Sequence, residues 1–175
     1  MPLGVVVRKT PGVTRWARWN WSAVAVLPGA APARWMELRR EGEAVEYHAA
    51  TMPLILWASD SEAYLANLSD HRPSIYVVMR DEGAGGAPLT MLLATASPYE
   101  GQDYADNGED IVEKVPMPEG LIAWVSDFAL AHHEHEVFVK RRRDRARIDL
   151  YQDGKGDARI RQASDVYRAP NRGLP

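Results

Sequence analysis

The stretch "LAHHEHEVFVKRRRDRAR", Leu130 to Arg147, sets His132, His133 and His135 with Glu134 and Glu136 directly before Lys140, Arg141, Arg142, Arg143, Arg145 and Arg147. Imidazole and carboxylate are metal ligands, and His132, His135 and Glu136 are the three that could share an ion. A zinc-hydrolase helix needs His-Glu-x-x-His, with the imidazoles four apart on one face, whereas His132 and His135 are three apart, so that chemistry is excluded. Histidines near a helix C-terminus also interact favourably, when protonated, with the negative end of the dipole, and that is the preferred reading. The basic run suits an acidic protein partner first, then a solvated helix face. Phosphate recognition by nucleic-acid binding ranks third, because Asp144 and Asp149 interrupt the run and the sequence pI is near 6.0.

"RWARWNW", Arg15 to Trp21, interleaves arginine with tryptophan, the composition of a stacking platform. Strand alternation instead puts Trp19, Trp21, Ala23, Ala25 and Leu27 on one apolar face and leaves Trp16 for an interface. "DYADNGEDIVEK" fails as a calcium loop, since the third position is Ala105 and the twelfth is Lys114 rather than glutamate. "EGAGGAP" has no Gly-Lys-Ser/Thr, and no Gly-x-Ser-x-Gly elbow occurs. Cysteine is absent, which rules out disulfides, thiolate metal sites and cysteine nucleophiles. No catalytic residue and no cofactor is expected.

The elements that would position these groups are mostly strands. Short apolar runs between turn residues predict strands near Gly4–Arg8, Trp19–Leu27, Trp35–Arg40, Val45–Ala49, Pro53–Trp57, Ser74–Met79 and Leu89–Thr95. "SEAYLANL", Ser61 to Leu68, fits helix or strand. After Pro118, Leu121, Val125, Phe128 and His132 recur at helical spacing, predicting a helix near 118–137 with Pro118 at its first position. The fold class is therefore α+β and β-dominated: an antiparallel meander forming a curled sheet or partly closed barrel, with a late helix. Residues 1–149 make one domain, long enough to bury a real core, and 150–175 a basic C-terminal arm too poor in apolar residues to order itself.

The net charge of −3 hides three blocks: residues 1–40 hold seven bases and one acid, 41–139 three bases and eighteen acids, and 140–175 eleven bases and five acids. Such segregation fits basic ends that meet either the acidic middle or an acidic partner. Only a run of five apolar or glycine residues, Leu3 to Val7, leads into Arg8 and Lys9, and no apolar run approaches membrane-spanning length, so a soluble cytoplasmic protein is expected, with no membrane contact.

"PLGVVVRKTPGVTRWARW", "SPYEGQDYADNGEDIVEKVPMPEGL" and "FVKRRRDRARIDLYQDGKGDARIRQASDVYRAP" together resemble a bacterial domain of unknown function, number 3305, over nearly the whole chain. The resemblance brings no site residues. It implies a setting: genes for such proteins tend to lie beside those for molybdenum-dependent formate dehydrogenases, their chaperones and ferredoxin-like proteins. Some members are labelled molybdopterin-guanine dinucleotide biosynthesis proteins. The Leu-Ala-Gly-Gly and Arg-Met-Gly-x-x-Lys strings of that nucleotidyltransferase do not occur here, and the strand pattern is wrong for its alternating fold. The expectation is a non-enzymatic accessory or interaction protein that supports such a dehydrogenase by docking, with nucleic-acid binding and pterin or nucleotide binding as the alternatives.

Overall fold

The computed structural model describes residues 1–12, 18–81 and 88–133, all within a unit spanning Met1–His135. Sheet 1 contains β1 (Pro2–Pro11), β2 (Trp19–Pro28), β3 (Arg34–Glu41) and β4 (Ala44–Pro53), in the order β2-β1-β4-β3. Sheet 2 contains β5 (Ser74–Arg80), β6 (Thr90–Thr95) and β7 (Ile111–Pro116), in the order β6-β5-β7. Every described pairing is antiparallel, as expected of a β-dominated α+β fold; the strands form two sheets, and no barrel closes among the described residues. The described residues also form three α-helices: α1 (Ser61–Leu68), α2 (Pro98–Asp106) and α3 (Glu119–His132).

One apolar core joins these layers. Leu3, Val5 and Val7 of β1 and Ile75, Val77 and Met79 of β5, each completely buried, share one cluster with Tyr64 of α1 and Leu121, Val125 and Ala129 of α3. Both strands use alternate residues for this, as the pleat requires. Burying side chains of this size stabilises by about 1.5–3 kcal/mol each before conformational entropy is counted.

Ser61–Leu68, ambiguous in sequence, is helix, and its Asn67 explains the choice. The Asn67 amide donates to Ser74 O at 2.8 Å and Ala96 O at 2.7 Å and accepts from Ser74 N at 3.1 Å, tying α1 to the start of β5 and the end of β6. The strand expected at Pro53–Trp57 is absent. β4 already ends at Pro53, and the following segment turns into a 3-10 turn (Ala58–Asp60), where Trp57 N donates to the buried Tyr64 hydroxyl at 3.0 Å. Pro118 caps α3 rather than opening it, and His133 is already extended, so the helix stops short of residue 137. α2 and β7, two elements the sequence did not predict, take up both ends of the rejected calcium-loop stretch.

Two bulges set which residues face inward. In β2, Val6 pairs Ala25 while Val7 pairs Ala23, leaving Val24 as an extra residue. Alternation is broken there, so Ala23 and Val26 enter the core, while Leu27, expected to be inside, is 36% exposed. In β4 the extra residue is Ala49, which re-aims His48 onto the outer face over Gly4.

Candidate functional site

The turn end of the β1–β2 hairpin gathers cations and aromatic rings. Its last strand pair is Pro11 with Trp19, and Gly12 N donates to Arg18 O at 3.1 Å. Lys9 stands opposite Trp21 and shares its face with Trp19, so the ammonium lies 3.8 Å from the Trp19 ring centroid and 5.5 Å from that of Trp21. Arg18 approaches the same Trp19 ring at 5.9 Å. Cation–π contacts of this kind contribute roughly 0.5–1 kcal/mol at exposed sites.

Two further rings extend this surface. Tyr47 of β4 lies opposite Val7, on the Lys9 side of the sheet, with its ring 6.1 Å from Trp21. Trp35 of β3 has φ +49°, a left-handed conformation that is costly for a bulky L-residue. The reversed backbone places its indole edge-on to Trp21 at 5.6 Å and to Tyr47 at 5.9 Å. Strained backbone of this type persists only where surrounding contacts hold it. Trp19, Trp21, Trp35 and Tyr47 are all half-buried, leaving part of each ring on the surface.

The charges around the rings are unevenly compensated. Arg8 Nε donates to Glu46 at 2.9 Å, Arg40 makes a two-pronged pair with Glu37 at 2.9 and 2.6 Å, and Arg39 pairs with Glu41. The Arg40 hydrogen bond holds the Glu37 carboxyl below its ordinary range. Among the described residues, no carboxylate forms an ion pair with Lys9, Arg18 or Arg34. The result is a cationic, aromatic rim with uncommitted positive charge.

The residues singled out from the sequence are distributed differently. Trp16 belongs to residues 13–17, and His135, Glu136, Lys140, Arg141, Arg142, Arg143, Arg145 and Arg147 follow residue 133; all lie outside the described residues. His132 is exposed at the end of α3, with its imidazole stacked 4.3 Å from Phe128 and Nδ1 donating to Phe128 O at 2.9 Å. That bond satisfies a carbonyl in the last helical turn. Among the described residues, no three His, Asp or Glu side chains stand together as a metal site. The rejected calcium loop is interrupted by α2, which contains Asp103 and Asp106, while Asp110 is claimed by Arg80 through contacts of 2.7 and 3.1 Å.

Sequence reading did not single out Lys9, Trp35 or Tyr47. Hairpin pairing could have placed Lys9 opposite Trp21. The long-range register that brings Tyr47 beside them, and the φ of Trp35, have no local signature.

A family model described as "Protein of unknown function (DUF3305)" matches residues 2–142. The chain belongs to this DUF3305 family. No curated protein and no solved structure matches the chain. The matched DUF3305 span contains all of the rim and continues through Lys140, Arg141 and Arg142. No described helix is long and apolar enough to cross a membrane.

Proposed function

We propose that this protein is a non-enzymatic accessory factor that docks on an acidic protein surface, in support of a molybdenum-dependent formate dehydrogenase system. The observation that carries the docking reading is Lys9, which lies across Trp19 and Trp21 without a carboxylate partner among the described residues. Tryptophan, tyrosine and arginine are enriched in the energetic centres of protein interfaces, and Trp19, Trp21, Trp35, Tyr47 and Arg18 are the rim residues of that kind, with Lys9 supplying charge beside them. Because the rings already restrict the Lys9 side chain, less conformational entropy is lost when a partner carboxylate meets it. The Lys140–Arg147 run adds charge of the same sign. The dehydrogenase setting rests on the gene neighbourhood implied by the resemblance.

The test is purification of the tagged protein from its own host at low salt, with K9E/R18E and R141E/R142E/R143E variants alongside. Stoichiometric dehydrogenase subunits or their chaperones that disappear in either variant, with folding intact, support the reading. Their retention in both variants would overturn it. A second reading uses the same rings and cations to stack and neutralise single-stranded nucleic acid. It requires a nuclease-sensitive 260/280 nm absorbance ratio and affinity that falls linearly with log salt.

A further inference from the structure

Helix α2 forms one wall of a groove on sheet 2. Ser97 caps the helix by accepting from Glu100 N at 3.3 Å, and Pro98 occupies its first turn. The helix lies on the sheet face that carries Tyr76, away from the core cluster. On that face Tyr76 of β5 stands opposite Lys114 of β7, and Val78 opposite Val112. Gly101 permits the approach, since a Cβ there would sit 2.6 Å from Tyr76 Cδ1.

The rest of the helix does not fill the space beside that contact. Gln102 and Ala105 of α2, Tyr76 of β5, and Val112 and Lys114 of β7 line an open groove of about 330 Å³. By the ~30 Å³ that a liquid water occupies, it holds on the order of ten non-hydrogen atoms, at the lower end of ligand-site volumes.

Three polar groups enter this mainly apolar lining without a protein partner. Tyr76 is 8% exposed, yet among the described residues nothing hydrogen-bonds to its hydroxyl. No buried side-chain polar atom is left unsatisfied among the described residues, so the hydroxyl reaches open space, and the space that Tyr76 lines is the groove. The Gln102 amide and the Lys114 ammonium likewise form no hydrogen bond or ion pair among the described residues. Lys114 Nζ lies 5.3 Å from the Tyr76 ring centroid. Ligand sites combine an apolar lining with a few polar groups of this kind.

Charge decides the class of occupant. Lys114 is the one charged residue in the lining, and no carboxylate lines the groove. An ammonium on an apolar wall is complementary to an anion, and the hydroxyl and amide add neutral donors for its oxygens. Asp103 and Asp106 are exposed elsewhere on α2, and their negative potential favours a ligand of one charge over a ligand of two.

We propose that this groove binds a small monocarboxylate with a flat apolar body. Its carboxylate pairs with Lys114 and accepts hydrogen bonds from Gln102 and Tyr76, and its ring lies between Ala105 and Val112. The site is separate from the rim and does not depend on the docking reading above.

The experiment is titration of the nitrogen-15-labelled full chain with phenylacetate and indole-3-acetate, read by the amide NMR signals. 2-Phenylethylamine and 2-phenylethanol serve as the cationic and neutral counterparts. The expected result is saturable movement of the Gly101, Gln102 and Lys114 signals with at least one of the acids, weaker binding of the alcohol and none of the amine. Affinity should fall roughly tenfold in K114Q, which removes a charged hydrogen-bond donor, and vanish in A105W, whose indole fills the groove. It should be unchanged in K9E/R18E. Lys114 and Ala105 are surface positions, and circular dichroism checks that the variants fold. No saturable shift with either acid, equal binding of the amine, or full affinity in K114Q would each overturn the assignment. Loss of binding in K9E/R18E alone would overturn it too, because the acid would then sit on the rim.

Discussion

Gly4 lies directly beneath the His48 imidazole: a Cβ on Gly4 would come within 2.5 Å of His48 Nε2 and 2.9 Å of the Ala30 Cβ. The imidazole cannot retreat freely, because it is 4% exposed and its Nε2 is 2.9 Å from Thr51 Oγ1. The Thr51 hydroxyl proton goes to Ala31 O at 2.8 Å, so His48 Nε2 is the donor to Thr51. One glycine thus lets a loop and a buried histidine close the outer face of sheet 1. Gly4→Ala is expected to lower stability by about 1–3 kcal/mol through overpacking. Chemical denaturation measures it, and the cost of Gly4→Ala should shrink in an H48A background, where the closer of the two clashes is removed and that with the Ala30 Cβ stays.

Trp35 offers a test of backbone strain. Alanine in a strand is ordinarily more stable than glycine by about 0.5–1 kcal/mol. At φ +49° that order should reverse, since Trp35→Ala and Trp35→Gly lose the same ring contacts but only glycine adopts this conformation without cost. Comparison of the two denaturation midpoints decides it, and a more stable alanine variant would show that the backbone relaxes.

Removal of the Asn67 side chain strips three buried backbone groups of their partner at once. Each unsatisfied group costs about 1–3 kcal/mol. Asn67→Ala should therefore be among the most damaging single changes, and Asn67→Asp no better, since a carboxylate cannot donate to Ser74 O and Ala96 O. Thermal unfolding of both variants provides the measurement.

Two carboxyl groups predict opposite pH trends. Hydrogen bonds from Arg80 and Asn107 hold Asp110 below its ordinary value of 3.8, so its stabilising effect is present above that value and is lost as pH falls through the lower folded value. Burial pushes Glu113 above its ordinary value of 4.5, against a smaller opposing effect from the Ala23 N–H that it accepts. Its contribution is therefore complete below 4.5 and lost as pH rises through the higher folded value. Relative to the natural chain, E113Q should gain stability as pH rises from about 4 to 7, and D110N should lose stability at neutral pH with the difference closing in acid. Melting temperatures across that range test both signs.

The legible parts of the fold were those with a strong local pattern. β1 and β5 announce themselves as short continuous apolar runs between turn residues, buried on both faces, and α3 by the helical spacing of Leu121, Val125 and Phe128. α2 was hidden because Gly101 and Ala105 leave no apolar stripe, although Ser97, Pro98 and Glu100 form a helix-start pattern that could have revealed it. Acidic neighbours similarly masked the alternation of Ile111, Glu113 and Val115 in β7. The rim depended on the pairing of β1 with β4, about forty residues apart in sequence, which no short window contains.

That pairing orders events during synthesis. β1 is the inner strand between β2 and β4, yet β4 ends at Pro53, twenty-five residues after β2 ends at Pro28. At ribosomal rates of about 5–20 residues per second, the hairpin waits roughly 1–5 s with the β4-facing edge of Val5, Val6 and Val7 unpaired. During that interval the nascent chain presents an apolar strand edge, the form in which chaperones capture and neighbouring chains aggregate. Slowing translation between codons 28 and 53 should therefore lower soluble yield without altering the finished protein.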